Sequence, residues 1–271
     1  MGKLYNKFVS ALHARWHHWR ERRQLTKARK NYDNCMTWRC INYQYVYAYT
    51  PTYNRREILF TRAIPTVEAQ THRQLSHFVV DDGSTDDTME WIMNRGVNDE
   101  NRVIYLPSKR RLNYPQTPEG RWLCGPVNPA NTFLKFLQFK LDWIARLDDD
   151  DEWCPTHLEE CIDYAIKNNL EFVSAYSEEE RNGEKRIVKE DASLPGIGAT
   201  QTWVYRSYLS FFRYDKSCWR KAWNRVNDTD LAERMRNAGV RMGQVPRVHA
   251  YIRPRPGNTQ VGLKAYTEES E

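Results

Sequence analysis

Four consecutive aspartates, Asp148-Asp149-Asp150-Asp151, follow the apolar run WIARL at 143–147. Carboxylates this close raise one another's pKa, and a divalent cation relieves the repulsion. Hard oxygen ligands select Mg²⁺, Mn²⁺ or Ca²⁺, and Mg²⁺-type ions take one or two carboxylates and leave room for a ligand's phosphates. The cluster therefore reads either as a metal–diphosphate site or as a solvated acidic loop of the kind favoured before a helix. A second acidic turn, Asp81-Asp82-Gly83-Ser84, follows HFVV at 77–80. An acid there bonds a ribose or a base, or caps the next helix.

Both clusters need elements that bring strand ends together. Residues 45–50 (YVYAYT) alternate and are rich in aromatic and β-branched types, which predicts a strand that Pro51 ends. Positions 56–70 are helical in period, with a kink at Pro65. Further strands are expected at 77–80, 102–106, 143–147 and 171–176. Helices are expected from Ser84 or Thr85 to about 94, over 130–139 and over 155–168, with 107–127 as loop. Strand and helix alternate with connections too long for hairpins, the pattern of a largely parallel sheet covered by helices. Such sheets bind ligands beyond the carboxyl ends of their strands, where both acidic clusters fall. Beyond these, 183–189 reads as an exposed turn, 198–205 and 244–252 as strands and 228–238 as a helix, before a Pro-rich tail and a polar end expected to fray.

The residues from about Tyr47 to Asn258 resemble a family 2 glycosyltransferase of the GT-A fold. Thr50-Pro51-Thr52-Tyr53-Asn54-Arg55 is similar to the opening strand and turn of that family. Val79-Val80-Asp81-Asp82-Gly83-Ser84-Thr85-Asp86 is similar to its nucleoside-binding turn. Leu147 to Trp153, with Pro155 and Leu158-Glu159, resembles its metal-binding DxD region, and Asp228-Thr229-Asp230-Leu231 with Arg234 and Gly239 resembles the segment that carries its base. The resemblance implies an α/β, Rossmann-like, mostly parallel sheet flanked by helices. It implies metal-dependent, inverting transfer of a sugar from a nucleotide-diphosphate sugar to a carbohydrate or other hydroxyl acceptor. By that resemblance Tyr53 and Asp82 contact the base, Asp148 the ribose or a metal-bound water, and Pro51 and Asp149 join the donor site. Asp150 ligates Mn²⁺ or Mg²⁺, Asp228 is the general base, His249 is a further metal or diphosphate ligand, and Arg253 and Arg255 close over the diphosphate. The sequence departs from the family at Asn227, where it usually has Glu, at Pro65, and in a long loop at 109–127. Nucleotidyl transfer or sugar-nucleotide hydrolysis on the same fold is a rival reading, and so is a catalytically silent nucleotide-sugar binder or assembly partner.

Charge is unevenly placed. Residues 1–30 carry nine basic groups and one acid, +8, while the remainder holds 32 basic against 34 acidic groups, −2. A nucleic-acid-binding body is therefore not expected. Leu4, Phe8, Leu12, Trp16 and Trp19 recur at helical spacing within the basic segment. That predicts an amphipathic extension over 1–42, ahead of a transferase domain at 43–258 and a polar tail at 259–271. The helix would pack on the body or a second copy, or lie on anionic lipid. Six Cys without a CxxC pair, no 18-residue apolar run and no apolar leader point to a reducing, cytoplasmic setting, peripheral to the membrane at most.

Overall fold

A computed structural model describes residues 2–35, 44–95, 103–109, 115–137, 142–191, 194–216 and 226–267, with the side chains of 2–17 and 95 outside the description. The expected helix end at 138–139 therefore lies outside the described residues. After helix α1 (Gly2–Cys35) the chain lays down β1 (Val46–Thr52), β2 (Leu75–Asp81), β3 (Val103–Pro107) and β4 (Trp143–Arg146). These pair in parallel in the order β3-β2-β1-β4. The parallel part is the sheet expected from sequence. Beyond it come the antiparallel β8 (Val204–Arg206), then β6 (Phe172–Arg181), β9 (Met242–Ile252) and β5 (Asp151–Trp153), so the sheet becomes mixed.

Side-chain alternation splits the core across the sheet. Tyr49, Phe78, Ile144 and Phe172 face α5 (Val127–Phe136) and α7 (Asn227–Ala238), and Leu25 of α1 joins them. Val46, Ala48, Val79, Ala145 and Val173 face the other way, with helix α2 (residues 56–68) and with α6 (His157–Lys167). Helix α2 comprises Arg56–Ile58, a π-helical turn at Leu59–Ala63, and Ile64–Glu68, and α3 (Thr88–Arg95) follows β2. The wide turn lies directly before Pro65, which has no N–H for the ordinary helical bond, so the helix passes the proline instead of ending there.

Several expectations change. Strand β1 runs through Pro51 to Thr52. Its odd positions face β4, since Trp143 N–H donates to the Tyr45 carbonyl and Leu147 N–H to the Tyr49 carbonyl. Pro51 faces that same side just past the end of β4, so its missing donor costs no ladder bond. The loop at 107–127 contains helix α4 (Pro118–Cys124), capped by Thr117, whose hydroxyl accepts from Gly120 N–H. The turn at 183–189 is a hairpin: Asn182 and Gly183 both have positive φ, and β7 (Glu184–Val188) pairs back on β6. Residues 200–202 form a 3₁₀ turn ahead of β8. Residues 259–267, expected to fray, are structured and include the short helix α8 (Lys264–Thr267).

Helix α1 docks on the body through its second half. Leu25 is 1% exposed. Glu171, also buried, accepts from Arg29 Nε (2.7 Å) and Nη2 (2.6 Å), from Tyr208 Oη (2.6 Å) and from Arg241 N–H (2.8 Å). Glu21 pairs with Arg234 of α7, and Arg22 donates to the Asn237 carbonyl.

Candidate active site

The carboxyl ends of β2, β1 and β4 lie side by side, and a cleft of about 290 Å³ opens beyond them. Pro51, Thr52 and Tyr53 line it from β1, Asp82 from β2, Asp148, Asp149 and Asp150 from β4, and Arg121 and Pro129 from the wall across. The two acids of the first turn divide the work. Asp81 is taken by the turn itself, accepting from Ser84 N–H, Ser84 Oγ and Tyr105 Oη. Asp82 is aimed at the cleft and is held by Asn128, whose Nδ2 donates to it at 3.0 Å.

The four aspartates likewise differ. Arg146 grips Asp148 Oδ1 through Nε (3.0 Å) and Nη2 (2.8 Å), but burial still raises the Asp148 pKa. Asp149 accepts from Thr52 Oγ1 (2.8 Å) and from Arg55 (2.8 Å), and burial pushes its carboxyl up to about 6. Asp150 lies between Arg55 at 3.3 Å and Arg255 at 3.7 Å, and its backbone carbonyl accepts from Arg62. Asp151 is buried, and desolvation beside Asp150 and Asp148 raises its pKa strongly.

A second chamber of about 190 Å³ adjoins the first, and the two share Gly125, Pro126, Asp148, Asp150 and Tyr266. Asp228, Asn227, Gln201, Trp122, Arg253, Arg255 and residues 260–262 line it. Asp228 occupies the first turn of α7. Its Oδ1 accepts from Thr229 N–H (2.7 Å) and its Oδ2 from Thr200 Oγ1. Arg255 lies over the Tyr266 ring at 4.9 Å, while Arg253 lies 3.6 Å from Glu152.

The structure thus brings Pro51, Tyr53, Asp82, Asp148, Asp149, Asp150, Asp228, Arg253 and Arg255 to two adjoining chambers. His249 is the exception. It sits in β9 against α6, ringed by His157 (5.6 Å between centroids) and Glu160 (3.5 Å), and it lines neither chamber. Cys154 N–H donates to its carbonyl, so the β5–β9 pairing fixes it well up the strand from the aspartates. The structure does not bring His249 together with the other expected site residues.

The remaining donor set suits a cation bound by one or two carboxylates. Asp150 and Asp148 offer oxygens at the junction of the chambers, and the crowded carboxyls around them lack full compensation. Among the described residues no three His, Cys, Asp or Glu converge on one point. Any such ion would therefore draw its other ligands from a diphosphate or water.

No family model matches the chain. It is 33% identical over 102 residues to the GalNAc(5)-diNAcBac-PP-undecaprenol beta-1,3-glucosyltransferase of Campylobacter jejuni, a match covering 38% of this chain and 28% of that protein. It is 30% identical over 108 residues to the succinoglycan biosynthesis protein ExoW of Rhizobium meliloti, covering 40% and 30%. The matches span less than a third of either relative's length. Among solved structures, Staphylococcus aureus TarS 1–349 with UDP-GlcNAc superposes with a TM-score of 0.59 at 15% identity, over 80% of this chain and 60% of that one. The mannosyltransferase PcManGT of Pyrobaculum calidifontis, with GDP-Man and Mn²⁺, gives 0.59 at 13% identity, over 94% and 69%. The chain shares its fold with these transferases, and over about 100 residues its sequence is similar to the two curated relatives.

Several residues of the two chambers had no assigned role in sequence. Arg55 belongs to the opening motif, yet nothing in its spacing shows that it bridges Asp149, Asp150 and Tyr266. Thr200 meets Asp228 from 28 positions away. Trp122 lies in α4, for which the Thr117-Pro118 cap was the available signal, and Asn128 lies in the first turn of α5.

Proposed function

We propose that the chain transfers a sugar from a nucleotide-diphosphate sugar to a hydroxyl acceptor, with inversion at the anomeric carbon. The observation that carries this reading is the shared wall: Asp148 and Asp150 line both the chamber that Asp82 and Tyr53 line and the one that Asp228 lines. The first chamber would take the nucleoside, with Asp82 accepting from the base and Tyr53 beside it. Arg255, 3.7 Å from Asp150, would take a diphosphate oxygen, a role that suits a guanidinium. A divalent cation at Asp150 and Asp148 would neutralise charge growing on the leaving diphosphate. Asp228, fixed by Thr200 and Thr229, would accept the acceptor's hydroxyl proton as that oxygen attacks from the face opposite the diphosphate. TarS and PcManGT carry UDP- and GDP-sugars, which makes those two the donors to try first. The C. jejuni relative is named for an undecaprenol-linked acceptor, and an acceptor of that kind would set this chain beside a bilayer.

A thermal-shift panel of UDP, GDP, dTDP and CMP, with and without Mn²⁺, tests the site. One nucleotide should raise the midpoint, since a ligand that binds the folded state alone stabilises it by mass action. The shift should shrink in EDTA and in Asp150→Ala. Equal shifts in EDTA and Mn²⁺ would remove the cation, and silence across the panel would remove the donor.

A further inference from the structure

Helix α1 is continuous from Gly2 to Cys35, about 50 Å at 1.5 Å per residue. Its docked face is defined by Glu21, Leu25, Ala28, Arg29 and Tyr32, which meet the core or its ion pairs. The stripe Leu4, Phe8, Leu12, Trp16, Trp19 occupies another side. At about 100° per residue the two sets are centred roughly 140° apart around the axis. Trp19, the one stripe residue whose side chain is described, agrees: it is 57% exposed, with Arg23 over its ring at 4.7 Å. Past Trp19 the sector of the stripe carries Arg22, Arg23, Thr26, Lys27 and Lys30, all exposed. One helix therefore carries two apolar sets of positions in succession, and the second is docked on the body.

We infer that the first face, over residues 2–19, is an interfacial helix that lies on an anionic lipid surface. Charge selects this occupant. Residues 2–19 include Lys3, Lys7 and Arg15 and no acid, the exposed Arg20, Arg22, Arg23, Lys27 and Lys30 follow, and the single acid of 1–30, Glu21, is buried on Arg234. A second copy of the segment would set like charge against like, whereas anionic headgroups attract the charge while the acyl boundary takes the apolar stripe. No helix among the described residues is long and apolar enough to cross a membrane, so the contact is along the surface. The inference is independent of donor chemistry.

The test is co-sedimentation of the full chain with phosphatidylcholine vesicles, with and without about one third phosphatidylglycerol. Partition should favour the anionic vesicles by about tenfold or more and fall with salt. The double variant Phe8→Ser/Leu12→Ser should lose it while its thermal midpoint and nucleotide-induced shift match the parent. Unchanged partition of that variant would leave a merely cationic arm. A dimer in sedimentation velocity that dissolves in the variant would give the stripe to a second copy. Either result overturns the inference, as does absence of vesicle binding by the parent.

Discussion

Asp228 and Asp230 open the same helix two residues apart, and their surroundings separate them. Asp228 lines the second chamber, whereas Asp230 is 5% exposed and takes a 2.9 Å bond from Arg234, which also holds Glu21 and the Arg213 carbonyl. Asp228→Asn keeps the shape and removes the basicity, so single-turnover transfer should slow by about 10²-fold or more with donor affinity unchanged. Asp230→Asn should instead lower the melting temperature, since breaking a buried ion pair from one side costs about 3–5 kcal/mol, and should leave chemistry near normal. The reverse pattern would move the base by two residues. The sequence could not make this distinction: both acids fall in one motif, and Arg213 and Glu21, which fix Arg234, are remote in the chain. Asp81 and Asp82 show the same limit. Their type and place at a strand end were legible, but which one the turn consumes depends on Tyr105 and Asn128.

Among the strands, β2 carries a titration. His77 is 2% exposed, its Nε2 lies 2.8 Å from Thr50 Oγ1 of β1, and burial lowers its pKa to about 3. The folded state keeps the ring neutral while the unfolded chain protonates near 6.5. This contribution to stability is therefore complete above 6.5 and is lost as pH falls from there towards 3. Between pH 7 and 5 it should remove about 2 kcal/mol from the unfolding free energy. Denaturant titrations at both values should show a slope that His77→Gln flattens. Helix α1 offers a second check on packing. Leu25→Ala should cost about 2–5 kcal/mol, whereas removal of residues 2–17 should cost much less, because the described docking contacts begin at Glu21. Elements with a strong period were legible in the sequence, as with β1 and α6. Those missed had their signal covered: β6 continues into Glu178-Glu179-Glu180, whose charge hides the alternation, and its partner β7 is charged as well.

At the scale of the whole molecule, the polar end from 259 onward looked expendable, because its composition carries no apolar period. Yet Gln260, Val261, Gly262 and Tyr266 form one side of the second chamber, and Arg55 donates to Tyr266 Oη. Ending the chain at Asn258 should open that chamber and weaken the nucleotide-induced thermal shift, while a shift equal to the parent's would show that the segment only decorates the site.

The continuity of α1 also makes it a rotational gauge. Its two faces are rigidly phased through the segment between Trp19 and Glu21, so whatever surface the first face lies on sets the tilt at which the paired chambers meet that surface. One alanine inserted after Trp19 would turn the first half by about 100° against the body, whereas four would turn it by about 40° and lengthen the rod by about 6 Å. Vesicle binding should survive both insertions. Transfer to a lipid-anchored acceptor should fall sharply with one alanine and recover in large part with four, and transfer to a freely diffusing acceptor should ignore the phase.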